Sequence, residues 1–108
     1  MIYRMFEEKK DMLKARDFWF IRNDLHQAST SVMAKLLGWS PATISSYENG
    51  SLQSKQHDIQ MKAILDPRSM KRAFYSNRND IEENTRNALD KRISFLLDTI
   101  KSRDLLLI

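Results

Sequence analysis

Cysteine is absent from the 108 residues. Disulfides, thiolate zinc sites and cysteine nucleophiles are therefore excluded, and a reducing cytosol is the simplest setting. Glycine and proline number two each, so sharp turns are few and the positions of these residues carry information. Long apolar runs are missing too. None is longer than Leu105-Leu106-Leu107-Ile108, against the roughly 20 residues that a bilayer span requires, and the first residues lack the long apolar segment of a signal peptide. The expectation is a cytoplasmic protein with no membrane partner. Histidine occurs only at His26 and His57, neither in a metal spacing such as HExxH, and no glycine-rich phosphate loop is present. No metal or other cofactor and no catalytic residue is expected.

With 42% apolar and 30% charged residues and a mean hydropathy of −0.55, the chain has material for a core and reads as one small domain with an added helix. The frequent Leu, Met, Lys, Arg, Glu and Gln are good helix formers. No segment alternates cleanly between apolar and polar residues with turn signals at its ends. The expected fold class is all-α: a helix-turn-helix bundle over 1–79, with its motif at 30–50, followed by a long amphipathic helix over 80–108.

Along the chain, Met5 to Leu25 reads as helical, with Phe6, Met12, Leu13, Phe18, Trp19, Ile21 and Leu25 spaced to form an apolar face, and with Asp17 as an internal candidate start. Ser29 is a candidate N-cap for a short helix Thr30–Leu37 that turns Val32, Met33, Leu36 and Leu37 inward. Gly38 stands where a left-handed residue closes a helix and redirects the chain. Ser40-Pro41 then supplies an N-cap and a proline at the first helical position, opening a second short helix that runs to Glu48 and stops at Asn49-Gly50. Ala34, four residues before Gly38, is small where a crossing helix must approach closely. Ile44 and Tyr47 follow on the inner face of the second helix. These offsets define a helix-turn-helix.

The stretches Ala34-Lys35-Leu36-Leu37-Gly38-Trp39-Ser40 and Thr43-Ile44-Ser45-Ser46-Tyr47-Glu48-Asn49-Gly50 resemble the lambda-repressor-like (XRE) helix-turn-helix class, over about residues 17–65. The continuation from Ser51 to Asp58, leading to Ile64-Leu65-Asp66-Pro67, is similar to antitoxin-type regulators of bacterial toxin–antitoxin modules. The resemblance implies double-stranded DNA as partner, repression of transcription, a phage or antitoxin setting and, for an antitoxin, a toxin protein. It also implies a structural pair between Arg22 and Glu48, with the connection after Arg22 one residue longer than usual. Where the family commonly has Gln at the first position of the first motif helix, this chain has Thr30. By resemblance, Ser40, Pro41, Ala42, Thr43, Ser45 and Ser46 face the major groove. None of them is Arg, Lys, Asn or Gln, so thymine methyls and single hydroxyl contacts are what this helix can read.

Affinity must then come from phosphate contacts and from dimer symmetry. Ser29, Thr30, Lys35, Ser51 and Lys55 are the phosphate candidates around the motif. The formal charge of +4 is concentrated in 61–79, where Lys62, Arg68, Lys71, Arg72 and Arg78 stand against Asp66 alone. Arg68, Lys71 and Arg72 join the candidates; the bland alternative is a solvated helix face. His57 reads as an ordinary surface residue. A rival function is a protein-binding adaptor that keeps the fold without touching DNA, and the uncharged second helix is its best argument. Asp80 is a candidate cap for the last helix, in which Leu89, Ile93, Leu96 and Ile100 form a seam suited to a homodimer, with packing onto the chain's own core as the alternative.

Overall fold

The computed structural model describes the backbone of residues 12–107 and the side chains of residues 12–101. Phe6 and the expected helical start at Met5 lie outside the described residues. All regular structure among the described residues is helical: α1 (Ala15–Trp19) widening into a π turn (Phe20–Leu25), α2 (Thr30–Leu37), α3 (Pro41–Glu48), α4 (Lys55–Ala63), α5 (Pro67–Ser76), a 3₁₀ turn (Arg78–Asp80) and α6 (Glu83–Leu107).

Helix α1 starts later than the apolar spacing predicts. Its first turn is tied off where Asp17 Oδ2 accepts from the Lys14 N–H at 2.7 Å. Met12 and Leu13 are not helical, because the peptide groups of Leu13 are engaged elsewhere. Its N–H donates to Asp58 Oδ1 at 2.7 Å and its carbonyl accepts from Gln53 Nε2 at 2.8 Å. Phe18 and Ile21 point into the core, whereas Trp19, expected on the apolar face, is exposed beside Phe20. The π turn holds one residue more than an α turn would. It closes with the Ala28 N–H donating to the Arg22 carbonyl at 3.0 Å and with Gln27 at φ +54°.

The helix-turn-helix forms from the caps that the sequence announces. Ser29 Oγ accepts from the Val32 N–H, and Ser40 Oγ from the Thr43 N–H. Gly38 takes φ +77°, a region that costs a side-chain-bearing residue energy. The buried Ala34 lets α2 and α3 cross closely, while Met33, Leu36 and Ile44 face inward. One continuous core joins these residues to Phe18, Ile21, Met61, Met70, Phe74, Ile81, Leu89 and Ile93.

Two expectations for the C-terminal helix are corrected by that core. Asp80 belongs to the 3₁₀ turn rather than capping α6; Ile81 follows in extended conformation and buried, and the helix begins at Glu83. Burying Ile81 requires the chain to pass inward before it can coil. Leu89 and Ile93 are each 3% exposed within the chain's own core, with Leu97 packed against it. The inward stripe therefore runs at steps of four, and the first two members of the proposed dimer seam are already used. Leu96 and Ile100 are half-buried. Arg92 fastens α6 by donating from Nε to the Leu25 carbonyl at 2.8 Å and from Nη2 to that of Asp24 at 3.2 Å.

His26 lies beneath this joint. It is 1% exposed, and its Nε2 donates to the Ile64 carbonyl at 2.6 Å. That bond places the ring hydrogen on Nε2 and leaves buried Nδ1 without a partner. Burial pushes its pKa below the ordinary value; the Ile64 contact opposes this and the Arg92 charge adds to it. The unfolded chain thus binds a proton that the folded chain refuses, so stability falls as pH drops below about 6.5, until the folded pKa is reached. Thermal melting at pH 7.5 and 5.5 should show this loss. His26→Gln, which can still donate to Ile64, should remove most of that pH dependence.

Ile93→Asp should unfold the chain, with a loss of about 3 kcal/mol or more from an unpaired buried charge. A folded monomer in sedimentation would instead place Ile93 in an intermolecular seam.

Candidate nucleic-acid interface

Helix α3 has two unlike faces. Ile44 is buried and Tyr47 and Glu48 are half-buried, while Ser40, Pro41, Ala42 and Ser45 are exposed and Thr43 and Ser46 partly so. This is the division the sequence predicts. The outer face carries less hydrogen-bonding capacity than its residue types imply, because Ser40 Oγ and Thr43 Oγ1 bond each other at 2.9 Å. No acidic residue stands in the first turn of α2 or α3, so nothing opposes the partial positive charge of those helix ends.

An aromatic cluster backs the inner face. Tyr47 meets Phe18 with ring centroids 5.0 Å apart, and Trp39 edge-on at 5.9 Å. Trp39 stacks on His57 at 4.1 Å, and Nδ1 of His57 is 2.8 Å from the Tyr47 hydroxyl. His57 is therefore not the ordinary surface residue expected; it joins α4 to the back of α3. Its only sequence signal is its place three residues after the N-cap Ser54, whose Oγ accepts from the His57 N–H. Trp39 adds a bond from Nε1 to Gln60 Oε1 at 3.3 Å.

The expected Arg22–Glu48 pair is present and bidentate. Arg22 Nε donates to Glu48 Oε2 at 2.6 Å and Nη2 to Oε1 at 3.0 Å, while Nη1 reaches the Ala28 carbonyl at 2.9 Å. The Glu48 hydrogen bonds raise the Arg22 pKa against the opposing effect of burial, with the carboxylate charge assisting. The loop after α3 is held similarly. Buried Asp58 accepts from Leu13 N–H and from Gln53 Nε2 and pairs with Lys62 at 2.8 Å. Burial alone would raise the Asp58 pKa; Lys62 and the two other donors outweigh it and hold the carboxyl below its ordinary value. Gln53 and Asp58 were not singled out by sequence reasoning, since isolated polar residues give no pattern.

The candidate phosphate partners divide into two groups. Ser29 and Thr30 open α2, and Ser51 and Lys55 lie exposed or half-exposed after α3 or at the start of their helices. Lys35 instead donates from Nζ to the Asp80 carbonyl at 2.9 Å, tying α2 to the 3₁₀ turn. Arg68, Lys71 and Arg72 are exposed on α5, whose principal neighbours are α2 and α6 rather than α3. Arg68 pairs with Asp66 at 3.0 Å, Arg72 Nη2 donates to Ser69 Oγ at 3.1 Å, and Lys71 sits over the Tyr75 ring at 5.6 Å. Much of the basic excess in 61–79 is thus bound locally, Arg78 with Asp90 included.

Among the described residues, no group of three His, Cys, Asp or Glu side chains is placed to hold a metal ion, and no helix is long and apolar enough to cross a membrane. Compared with known proteins, the chain matches no family model, no curated protein and no solved structure.

The Arg22–Glu48 pair has side chains only 13% and 12% exposed. Glu48→Gln should cost about 2–4 kcal/mol by leaving a poorly solvated guanidinium unpaired, while Arg22→Met combined with Glu48→Leu should recover most of that loss. Urea unfolding of the single and double variants measures the coupling.

Proposed function

We propose that the protein is a sequence-specific DNA-binding transcriptional regulator of the lambda-repressor-like kind, a repressor that inserts α3 into the major groove of double-stranded DNA. The observation that carries this reading is α3 itself. Its outer row from Ser40 to Ser46 is open to solvent, while Ile44, Tyr47 and Glu48 fix the opposite face to the rest of the fold. A short helix anchored so firmly on one side and left bare on the other is suited to entering a groove. The residue resemblance over 17–65 supports the same conclusion, and extends it to a cytoplasmic regulator of phage or toxin–antitoxin type, with a toxin protein as a further partner in the latter case. We include a homodimer in the proposal, since paired half-sites would add the energies of two modest contacts. Leu96 and Ile100 are the members of the expected seam that keep exposed surface for it.

The adaptor reading is favoured by one observation, the lack of any cationic side chain on α3. Binding of a random-sequence duplex at low salt, followed by fluorescence anisotropy, separates the two. Ala42→Glu and Ser46→Glu should each weaken that binding at least about tenfold through repulsion from phosphate, with helicity and melting near those of the unaltered protein. Undiminished binding in both variants would remove α3 from the interface. Absence of duplex binding by the unaltered protein would leave the adaptor.

A further inference from the structure

The outer surface of α3 is unusual for a helix meant to read bases. The side chains that distinguish guanine and adenine by paired hydrogen bonds are Arg, Lys, Asn and Gln, and none lies between Ser40 and Ser46. Two of the hydroxyls, those of Ser40 and Thr43, already bond each other, and the Ser40 oxygen also accepts from the Thr43 N–H. Beside the one hydroxyl hydrogen that this pair leaves over, what the exposed Pro41 and Ala42 offer is carbon, a ring and a methyl group.

The loop just past α3 adds a larger apolar group. Leu52 is 85% exposed, the greatest exposure of any large hydrophobic residue among those described. It is not a floppy tip. The preceding Ser51 N–H donates to the Ser46 carbonyl at 2.9 Å. The following Gln53 is 7% exposed and bonded to Leu13 and Asp58. Leu52 is thus held out to solvent by anchors on both sides, in the loop four residues past the end of α3.

We infer that the protein recognises DNA through the C5-methyl groups of pyrimidines, so that its preferred duplex is rich in thymine and its discrimination comes from apolar contact. This rests on the DNA-binding reading above and names the ligand class of that same site. In the major groove, the thymine methyl is the one base-edge feature that an apolar side chain can recognise. A cytosine methylated at C5 presents the same group at the same ring position, so it belongs to the same ligand class. Ala42 and Pro41 supply the contact at the start of α3 and Leu52 supplies it beyond the end.

The test compares alternating poly(dA-dT) with poly(dA-dU), which differ only by that methyl, and includes a mixed-sequence duplex synthesised with cytosine or with 5-methylcytosine. One methyl removed from water is worth roughly fourfold in affinity, so two contacts predict about 15-fold tighter binding to the thymine polymer. The methylated mixed duplex should likewise bind more tightly than its unmethylated counterpart. Ala42→Gly and Leu52→Ser should each reduce the thymine-to-uracil ratio; the exposed position of Leu52 keeps that variant folded. Equal affinity for the two polymers, with duplex binding intact, would overturn the methyl inference and leave the DNA-binding reading standing. Failure to bind any duplex would overturn both. A ratio unchanged in both variants would overturn the assignment to these residues.

Discussion

Arg22 donates from three nitrogens, two to the Glu48 carboxylate and one to the Ala28 carbonyl, and in doing so joins the π turn, the approach to α2 and the last turn of α3. Helix α3 needs such a tie. It has eight residues, and Ile44 is the only one fully buried, so apolar burial gives it a single firm anchor near its middle. A helix held at one point can pivot. The ion pair fixes its far end, and the stack of Trp39 on His57 with Tyr47 beside them fixes its back. The outer row from Ser40 to Ser46 consequently stands at a set angle to the rest of the domain, as any surface that must fit a groove requires.

The same tie starts from the distorted first helix, since Arg22 lies within the π turn. The π turn takes one residue more than an α turn does, and Gln27 follows in a left-handed conformation that is uncommon for a residue with a side chain. Both features lie beside α2 rather than at random in the chain. The strain they represent is held in place by a contact on each side, Arg22 with Ala28 and His26 with Ile64.

The helix-turn-helix was legible because its signals are local: Ser29, Gly38, Ser40-Pro41 and Asn49-Gly50 each specify a backbone conformation within a few residues, whatever surrounds them. The paired Arg22 and Glu48 were legible only through resemblance, since they are separated by 26 positions. The features that escaped were tertiary. Periodicity marks Leu89 and Ile93 as inward-facing without saying toward what, and the partner turned out to be the chain's own core. Trp19 fitted the apolar spacing of α1, yet as the next residue after Phe18 it stands about 100° round the helix, away from the buried Phe18 and Ile21, and remains outside. Charge counting found the basic excess of 61–79 but not that Asp66, Asp58 and Asp90 each take one of its cations.

Those local pairings bear on how the domain can hold a polyanion. A cation already bonded to a carboxylate gains less from a phosphate than one in water, because the first partner must be released or shared. Lys35 faces the same competition from the Asp80 carbonyl. Ser29 and Ser40 already take the Val32 and Thr43 amides and Pro41 has none, so the first amides of α2 and that of Ala42 are what the helix ends around α3 keep for phosphate, together with exposed Lys55. A surface built on amide dipoles and methyl groups adds little long-range attraction of its own beyond that of the chain's net charge of +4. Under the proposed DNA-binding function its selectivity would arise after contact, from the fit of α3, which returns the burden to the Arg22–Glu48 pair that fixes the angle of that helix.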